Sequence, residues 1–196
     1  QVAFIIMIFI SIIMNLEHKI KGFLLSLLFL TTVFTTAYIY SPNFHSRVNA
    51  GIEDIHFIIY KDDFITGSIG QRISLWIVGV DNFTDNFFLG KGIGNEVNDI
   101  VYYAMKNGFN TEFFSTVPDN HNMFLIIGLQ LGVIGLLLFC AMFYALVILK
   151  FKSKTYKILN LTFIVAFFVW SFGNTTLHIM HPMIFFALFA GLFNKI

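Results

Sequence analysis

The sequence predicts an all-α integral membrane protein, a polytopic helical bundle of about five transmembrane helices with a long loop on the outer side, periplasmic if the cell is a Gram-negative bacterium, that contains amphipathic helices. Three observations carry this. Of 196 residues, 57% are hydrophobic and 12% charged, against about 45–50% and about 25% in soluble domains, and the mean hydropathy is +0.79. The apolar residues gather into runs near the roughly 20 residues that a helix needs to cross a bilayer. The charges are also segregated: ten of the eleven acids fall within residues 42–120, while lysines crowd the short connectors. The net charge of +1 indicates no nucleic-acid partner, because in such a chain the position of charge matters more than its sum. The single Cys140 excludes an intrachain disulfide and a Cys-based metal site, and reads as a packing residue. The chain opens on Gln1 directly into an apolar run, without a basic leader or small-residue cleavage site. The expectation is one membrane domain, residues 1–196, forming the C-terminal part of a larger protein.

Residues 2–14 are apolar but short for a span, and fit the tail of one; residues 15–21 are a polar connector. Residues 22–40 form the second span, with Thr31, Thr32, Thr35 and Thr36 able to bond back to their own helix or to a neighbour. Ser41, Pro42 and Asn43 end it. Residues 42–120 contain no spanning run. Lys19 and Lys21 precede this segment, and Lys150, Lys152, Lys154, Lys157 and Lys195 follow it. By the positive-inside rule the connectors are cytoplasmic and the long segment lies outside. Within it, Ile69, Ile73, Trp76, Ile77, Val80 and Phe83 recur at helical spacing and predict an amphipathic helix over residues 68–83, lying on the membrane or against the bundle. Arg72 falls one turn before Trp76, on the same face.

Leu89-Gly90-Lys91-Gly92-Ile93-Gly94-Asn95 reads as a tight turn, with a backbone anion nest as the alternative. It is not a Walker loop, since the closing Gly-Lys-Ser/Thr is absent. Pro118, Asp119 and Asn120 are helix start signals ahead of the apolar run 122–149, whose length is roughly 40 Å. His121 would thus stand at the positive end of a helix dipole at the membrane surface. Gly128 and Gly132 form a small-residue surface for close helix contact, and Gln130 should face the bundle interior. Residues 158–172 and 177–193 are the last two spans, joined by the turn Gly173-Asn174-Thr175-Thr176, with His178 and His181 in the first turns of the final helix.

On the outer side, therefore, stand Arg47, Arg72, His121, His178 and His181. Arginine forks suit phosphate oxygens, and histidine is the natural base near neutral pH. This set suits an anionic, lipid-linked substrate. The bland alternatives are that the arginines snorkel to headgroups and that His121 and Asn122 are interfacial polar residues. His178 and His181 lack further ligands for zinc and read as interfacial packing.

The run Ser68-Ile69-Gly70-Gln71-Arg72-Ile73-Ser74-Leu75-Trp76, then Phe88-Leu89-Gly90-Lys91-Gly92-Ile93-Gly94, then His121-Asn122-Met123-Phe124-Leu125 and Leu131-Gly132-Val133-Ile134-Gly135-Leu136 resembles the O-antigen ligase and polymerase family, the Wzy C-terminal domain. The resemblance covers about residues 45–150. Phe87 or Phe88 stands where that family usually has a proline before the glycines. It implies a metal-independent membrane glycosyltransferase that needs no cofactor. Such an enzyme moves a glycan from undecaprenyl pyrophosphate to an acceptor hydroxyl at the periplasmic face of the bacterial inner membrane. An O-antigen ligase would use the lipid A core as acceptor and a polymerase the growing O-chain. Arg72 would match the pyrophosphate-binding arginine, Arg47 a second one, and His121 the base, with Trp76, Asn122, Gly92 and Gly94 as support. The rival from another class is a transporter or structural subunit without catalysis, which would place its functional polar groups near the bilayer midplane.

Overall fold

The computed structural model describes residues 2–15, 18–61, 63–95, 99–117 and 120–194, and all its regular elements are helices: α1 (Val2–Asn15), α2 (Lys19–Tyr40), α3 (Pro42–Lys61), α4 (Ser68–Asp85), α5 (Ile100–Lys106), α6 (Thr111–Phe114), α7 (Met123–Val147), α8 (Lys154–Ser171) and α9 (Met180–Phe193). Two described helices are long and apolar enough to cross a membrane, Ile20–Tyr40 in α2 and Met123–Val147 in α7; the apolar stretches Ile5–Met14 and Met180–Phe193 are shorter. The chain divides into two compact units, residues 1–37 with 139–196, and residues 38–138, whose boundaries fall inside α2 and α7.

In the first unit α1 packs along α8, and α8 against α9. Phe163 of α8 is the hub, with its ring centroid 4.9 to 6.2 Å from those of Phe167, Phe185, Phe186, Phe189 and Phe193. Such pairs add about 0.5–1.5 kcal/mol each beyond burial, which matters where lipid removes most of the hydrophobic drive for helices to associate. Asn160 donates to the Leu146 carbonyl at 2.8 Å, satisfying one of the orphan acceptors at the end of α7. On α2 the threonines bond to their own helix, Thr31 to the Leu27 carbonyl and Thr32 to that of Leu28, both at 2.8 Å. Leu24, Leu25, Leu27 and Leu28 of α2 are exposed, as a lipid-facing surface would be. Cys140 is exposed rather than packed, a correction to the sequence reading. The final helix begins at Met180, so His178 lies before it, in a turn where its N–H donates to the Thr175 carbonyl at 3.0 Å.

The second unit holds α3 to α6 and the first part of α7. Helix α3 was not foreseen; it starts because Ser41 accepts from the Phe44 N–H at 3.4 Å and Pro42 sits at the first helical position, where its missing N–H costs nothing. Helix α4 runs as the spacing predicts, but the expected apolar stripe is not its buried side. Gly70, Ser74, Leu75, Val78, Gly79 and Asn82 are buried, whereas Ile77 and Val80 are exposed and, with Ile73 and Trp76, line an open groove. The buried side works because its glycines and serine allow close approach. Leu75 and Val78 form a core with Ile100, Tyr103 and Ala104 of α5 and Phe114 of α6, against which Trp76 rests.

Candidate functional site

Helix α4 is the element that relates the candidate residues. Its start is capped from another helix. Gly67, with φ 85°, has no side chain to cap with, and the buried Asp54 of α3 accepts the Ile69 N–H at 3.1 Å instead. A Cβ on Gly67 would collide with that carboxylate. One turn earlier on α3, Gly51 meets Ile69 at 3.7 Å from where its Cβ would be. Arg72 lies three residues past Ile69 and Arg47 four residues before Gly51, so each arginine is within about one helical turn of this junction.

Both arginines are exposed and, among the described residues, neither has a hydrogen-bond or ion-pair partner. The neighbouring lysines are occupied: Lys91 pairs with Asp99 at 2.9 Å, Lys106 with Asp81 at 3.0 Å, and Lys61 lies 4.5 Å from the Phe57 ring centroid. Arg72 makes no cation–π contact with Trp76 among the described residues. Trp76 instead turns to the core, and its buried Nε1–H has no partner among the described residues.

Two turns further along α4, Gly79 allows the start of α7 to approach. A Cβ there would stand 3.1 Å from Leu125 and 3.5 Å from the Asn120 amide oxygen. Seven residues separate Arg72 from Gly79, about 10 Å of helix. Asn120 is 1% exposed, and neither amide atom has a partner among the described residues. The helix start itself differs from the sequence expectation. Asn122 is the cap: its Oδ1 accepts the N–H of Phe124 at 3.0 Å and of Leu125 at 3.2 Å, and its carbonyl accepts that of Ile126 at 3.0 Å. Asn120 is therefore no cap, while Pro118 and Asp119 lie outside the described residues. His121 stands before the cap, half-buried, with φ 47°. A non-glycine residue is uncommon in that region and marks a held conformation.

Helix α7 is broken at Gly132, with φ 66° and ψ −161°. The break leaves the Leu129 and Gln130 carbonyls and the Val133 N–H without helical partners, and residues 87–92 supply all three. Lys91 N–H donates to Leu129 at 2.7 Å, Gly92 N–H to Gln130 at 2.9 Å, and Val133 N–H to Phe87 at 2.7 Å. Membrane-buried backbone must be satisfied in some such way. The amides of Lys91 and Gly92 are thereby consumed, as in a tight turn packed on the break, and are closed to an anion. Gly92 and Gly94, with φ 90° and 85°, shape the turn. Only the Phe87 carbonyl enters these bonds, so the absent proline costs no contact. Gly128 packs on Phe83 as a close-contact position should, 3.1 Å from its own added Cβ. Gln130 is 6% exposed, facing inward as expected.

Beside these helices a charged cluster ties α5 to α4. Tyr103 donates to Asp85 at 2.9 Å; burial first, then this bond, push its hydroxyl up to about 12. Lys106 is raised chiefly by its hydrogen bond to Asp81. Asp63 is held low by its bonds from Thr66 and Ile65. Sequence reasoning missed Asp54 and Gly79, for which pattern offered no signal; for α3 the Ser41-Pro42 pair was available.

A comparison with curated proteins finds no match. The family model Wzy_C, described as O-antigen ligase, matches residues 1–140 of a chain of 196, with α4, the glycine turn, the His121 start and the break in α7 all inside that range, and the chain belongs to this family of membrane proteins.

Proposed function

We propose that the chain is the catalytic part of a membrane glycosyltransferase that moves a glycan from undecaprenyl pyrophosphate to a hydroxyl of the lipid A core, as an O-antigen ligase. The observation that carries this reading is the pair of arginines without acidic partners flanking one helix junction, Arg47 on α3 and Arg72 on α4, the helix that continues to the His121 turn. In the proposed step the acceptor oxygen attacks the sugar's anomeric carbon. The bond to pyrophosphate breaks with its electron pair going to the phosphate oxygen, where Arg72 and Arg47 neutralise the charge. His121 takes the acceptor proton. Trp76 and Asn122 position these groups from behind, Trp76 by packing and Asn122 by capping. No metal or nucleotide enters the step.

We read α1, α2, α7, α8 and α9 as five spans of one membrane domain in the bacterial inner membrane, with residues 42–120 in the periplasm. The lysine connectors support this orientation. In a Cys140→Ala background, Glu112→Cys is expected to react with a membrane-impermeant thiol reagent in cells whose outer membrane admits it, and Ser153→Cys is not; labelling of position 153 alone reverses the topology.

A polymerase extending the O-chain would use the same groups with a different acceptor. Complementation by the full-length gene separates the two: restored attachment of O-chains to core in a ligase-deficient strain supports the ligase, restored ladder length in a polymerase-deficient strain supports the polymerase. Failure of both removes the glycosyltransferase reading.

A further inference from the structure

Where α2 passes into α3, a groove of about 610 Å³ opens along the first three turns of α3. Ile39 and Pro42 form its apolar wall, and His45, Ser46, Asn49 and Glu53 its polar floor. His45, Asn49 and Glu53 recur every four residues, so their side chains form one ladder with about 6 Å between rungs. Tyr38 fixes the upper two rungs: its ring stacks on His45 with centroids 4.3 Å apart, and its hydroxyl donates to the Asn49 amide oxygen at 3.2 Å. The Asn49 NH₂ is left to donate into the groove. Glu53 has no ion-pair or hydrogen-bond partner among the described residues, so its carboxylate is an unused acceptor.

The chemistry of the lining narrows the ligand. An unneutralised carboxylate disfavours phosphate. His45 and Glu53 stand eight residues, about 12 Å, apart on one helix, too far to share a metal ion. A polar floor would leave hydrocarbon facing groups that need hydrogen bonds. What fits is a ligand offering both donors and acceptors along its edges and an apolar face for Ile39 and Pro42. A sugar has both. We propose that this groove is a glycan subsite, holding hydroxyls of a sugar chain along α3. The ladder lies on the side of α3 that faces Tyr38, about half a helical turn away from Arg47, which shares the face of Gly51 and Asp54; resting on the proposed function, the sugars run along α3 on the far side from the arginine assigned to the pyrophosphate. The glycan could belong to the donor or to the acceptor.

The test uses the full-length protein in lipid nanodiscs and saturation-transfer NMR with two free oligosaccharides: the repeat unit released by mild acid from the lipid-linked donor, and the core oligosaccharide released likewise from the acceptor lipid. One of them is expected to give transfer signals, and which one identifies the source. Ser46→Trp, which fills the groove from an exposed position, and the double variant Asn49→Ala with Glu53→Ala are expected to lower those signals at least five-fold. Absence of signal from both oligosaccharides overturns the inference, as does an unchanged signal in Ser46→Trp. Displacement of the oligosaccharide by an equal concentration of phosphoethanolamine overturns it too, because the groove would then be a lipid headgroup site. If the oligosaccharide binds while complementation fails, the subsite stands and the catalytic reading falls.

Discussion

In the unit formed by residues 1–37 and 139–196, Phe163 meets five other phenylalanines, so that α8 and α9 associate mainly through ring contacts, and side-chain hydrogen bonds such as that of Asn160 are few. In residues 38–138 the joints are of another kind: Asp54 capping a foreign helix, Gly79 and Gly128 admitting close neighbours, and three backbone bonds filling the break at Gly132. Ring contacts can be remade by small shifts, whereas a backbone joint has one geometry. The candidate chemical groups all stand in the second kind of structure. Positioning two guanidiniums and an imidazole requires the rigid joints, and a bundle that only has to stay associated in lipid does not.

The largest effects should come from the groups those joints hold. Arg72→Ala is expected to leave almost no glycan transfer by the full-length protein and Arg72→Lys only part of it, since lysine keeps the charge and loses the fork. Normal transfer by both would make Arg72 a headgroup anchor. His121→Ala should lower transfer by about 10² to 10⁴ while donor binding and membrane insertion persist, because the spanning run begins after it. Added chelator should change nothing. Loss of the protein from the membrane in step with the loss of activity would make His121 a structural residue.

The comparison itself is sharpened by one substitution in each unit. At Gly132 an added Cβ would collide with the Phe88 carbonyl, and the backbone lies at φ 66°. Strain of about 1–3 kcal/mol and overpacking of about 1–3 kcal/mol together predict that Gly132→Ala costs about 2–6 kcal/mol. Phe163→Leu keeps an apolar side chain and loses ring geometry, so about 1–3 kcal/mol is expected. Thermal unfolding of the purified protein in nanodiscs measures both. Equal costs would show that the two units are joined in the same manner.

The same contrast explains what could be read from sequence. Helix periodicity and apolar length located α2, α4 and α7 within a few residues, because those properties are local. For the apolar stripe of α4 the spacing allows two settings, on the membrane or against the bundle; Ile77 and Val80 are exposed, and Gly70, Ser74 and Gly79 go inside because they permit approach, a packing that apolar periodicity does not signal. The helix start at His121 is legible, but the cap is Asn122 and not Asn120, and Asp119, the other candidate, lies outside the described residues; an asparagine caps equally well at either position and only the backbone at His121 decides. The pairing of residues 87–92 with the break at Gly132 was invisible, because a glycine at helical spacing looks the same whether the helix continues or stops.

The smallest effect concerns pH and again differs between units. Tyr103, 5% exposed, has its hydroxyl pushed up to about 12 by burial and by its bond to Asp85, against about 10 in an unfolded chain. Between these values the unfolded chain holds fewer protons than the folded one, so stability falls as pH rises. The contribution is whole below about pH 10 and is lost as pH climbs through about 12. Lys106, also raised, acts in the same direction, so some loss will remain without the tyrosine. Tyr103→Phe should therefore start lower at pH 8, by the about 0.5–1.5 kcal/mol of a lost hydrogen bond, and then decline less steeply than wild type towards pH 12. Phe163→Leu, with no titrating partner, should run parallel to wild type over the whole range. Unfolding midpoints of the three proteins in nanodiscs at intervals from pH 8 to 12 decide the matter. Parallel curves for Tyr103→Phe and wild type would show that the Tyr103 hydroxyl does not couple its ionisation to folding.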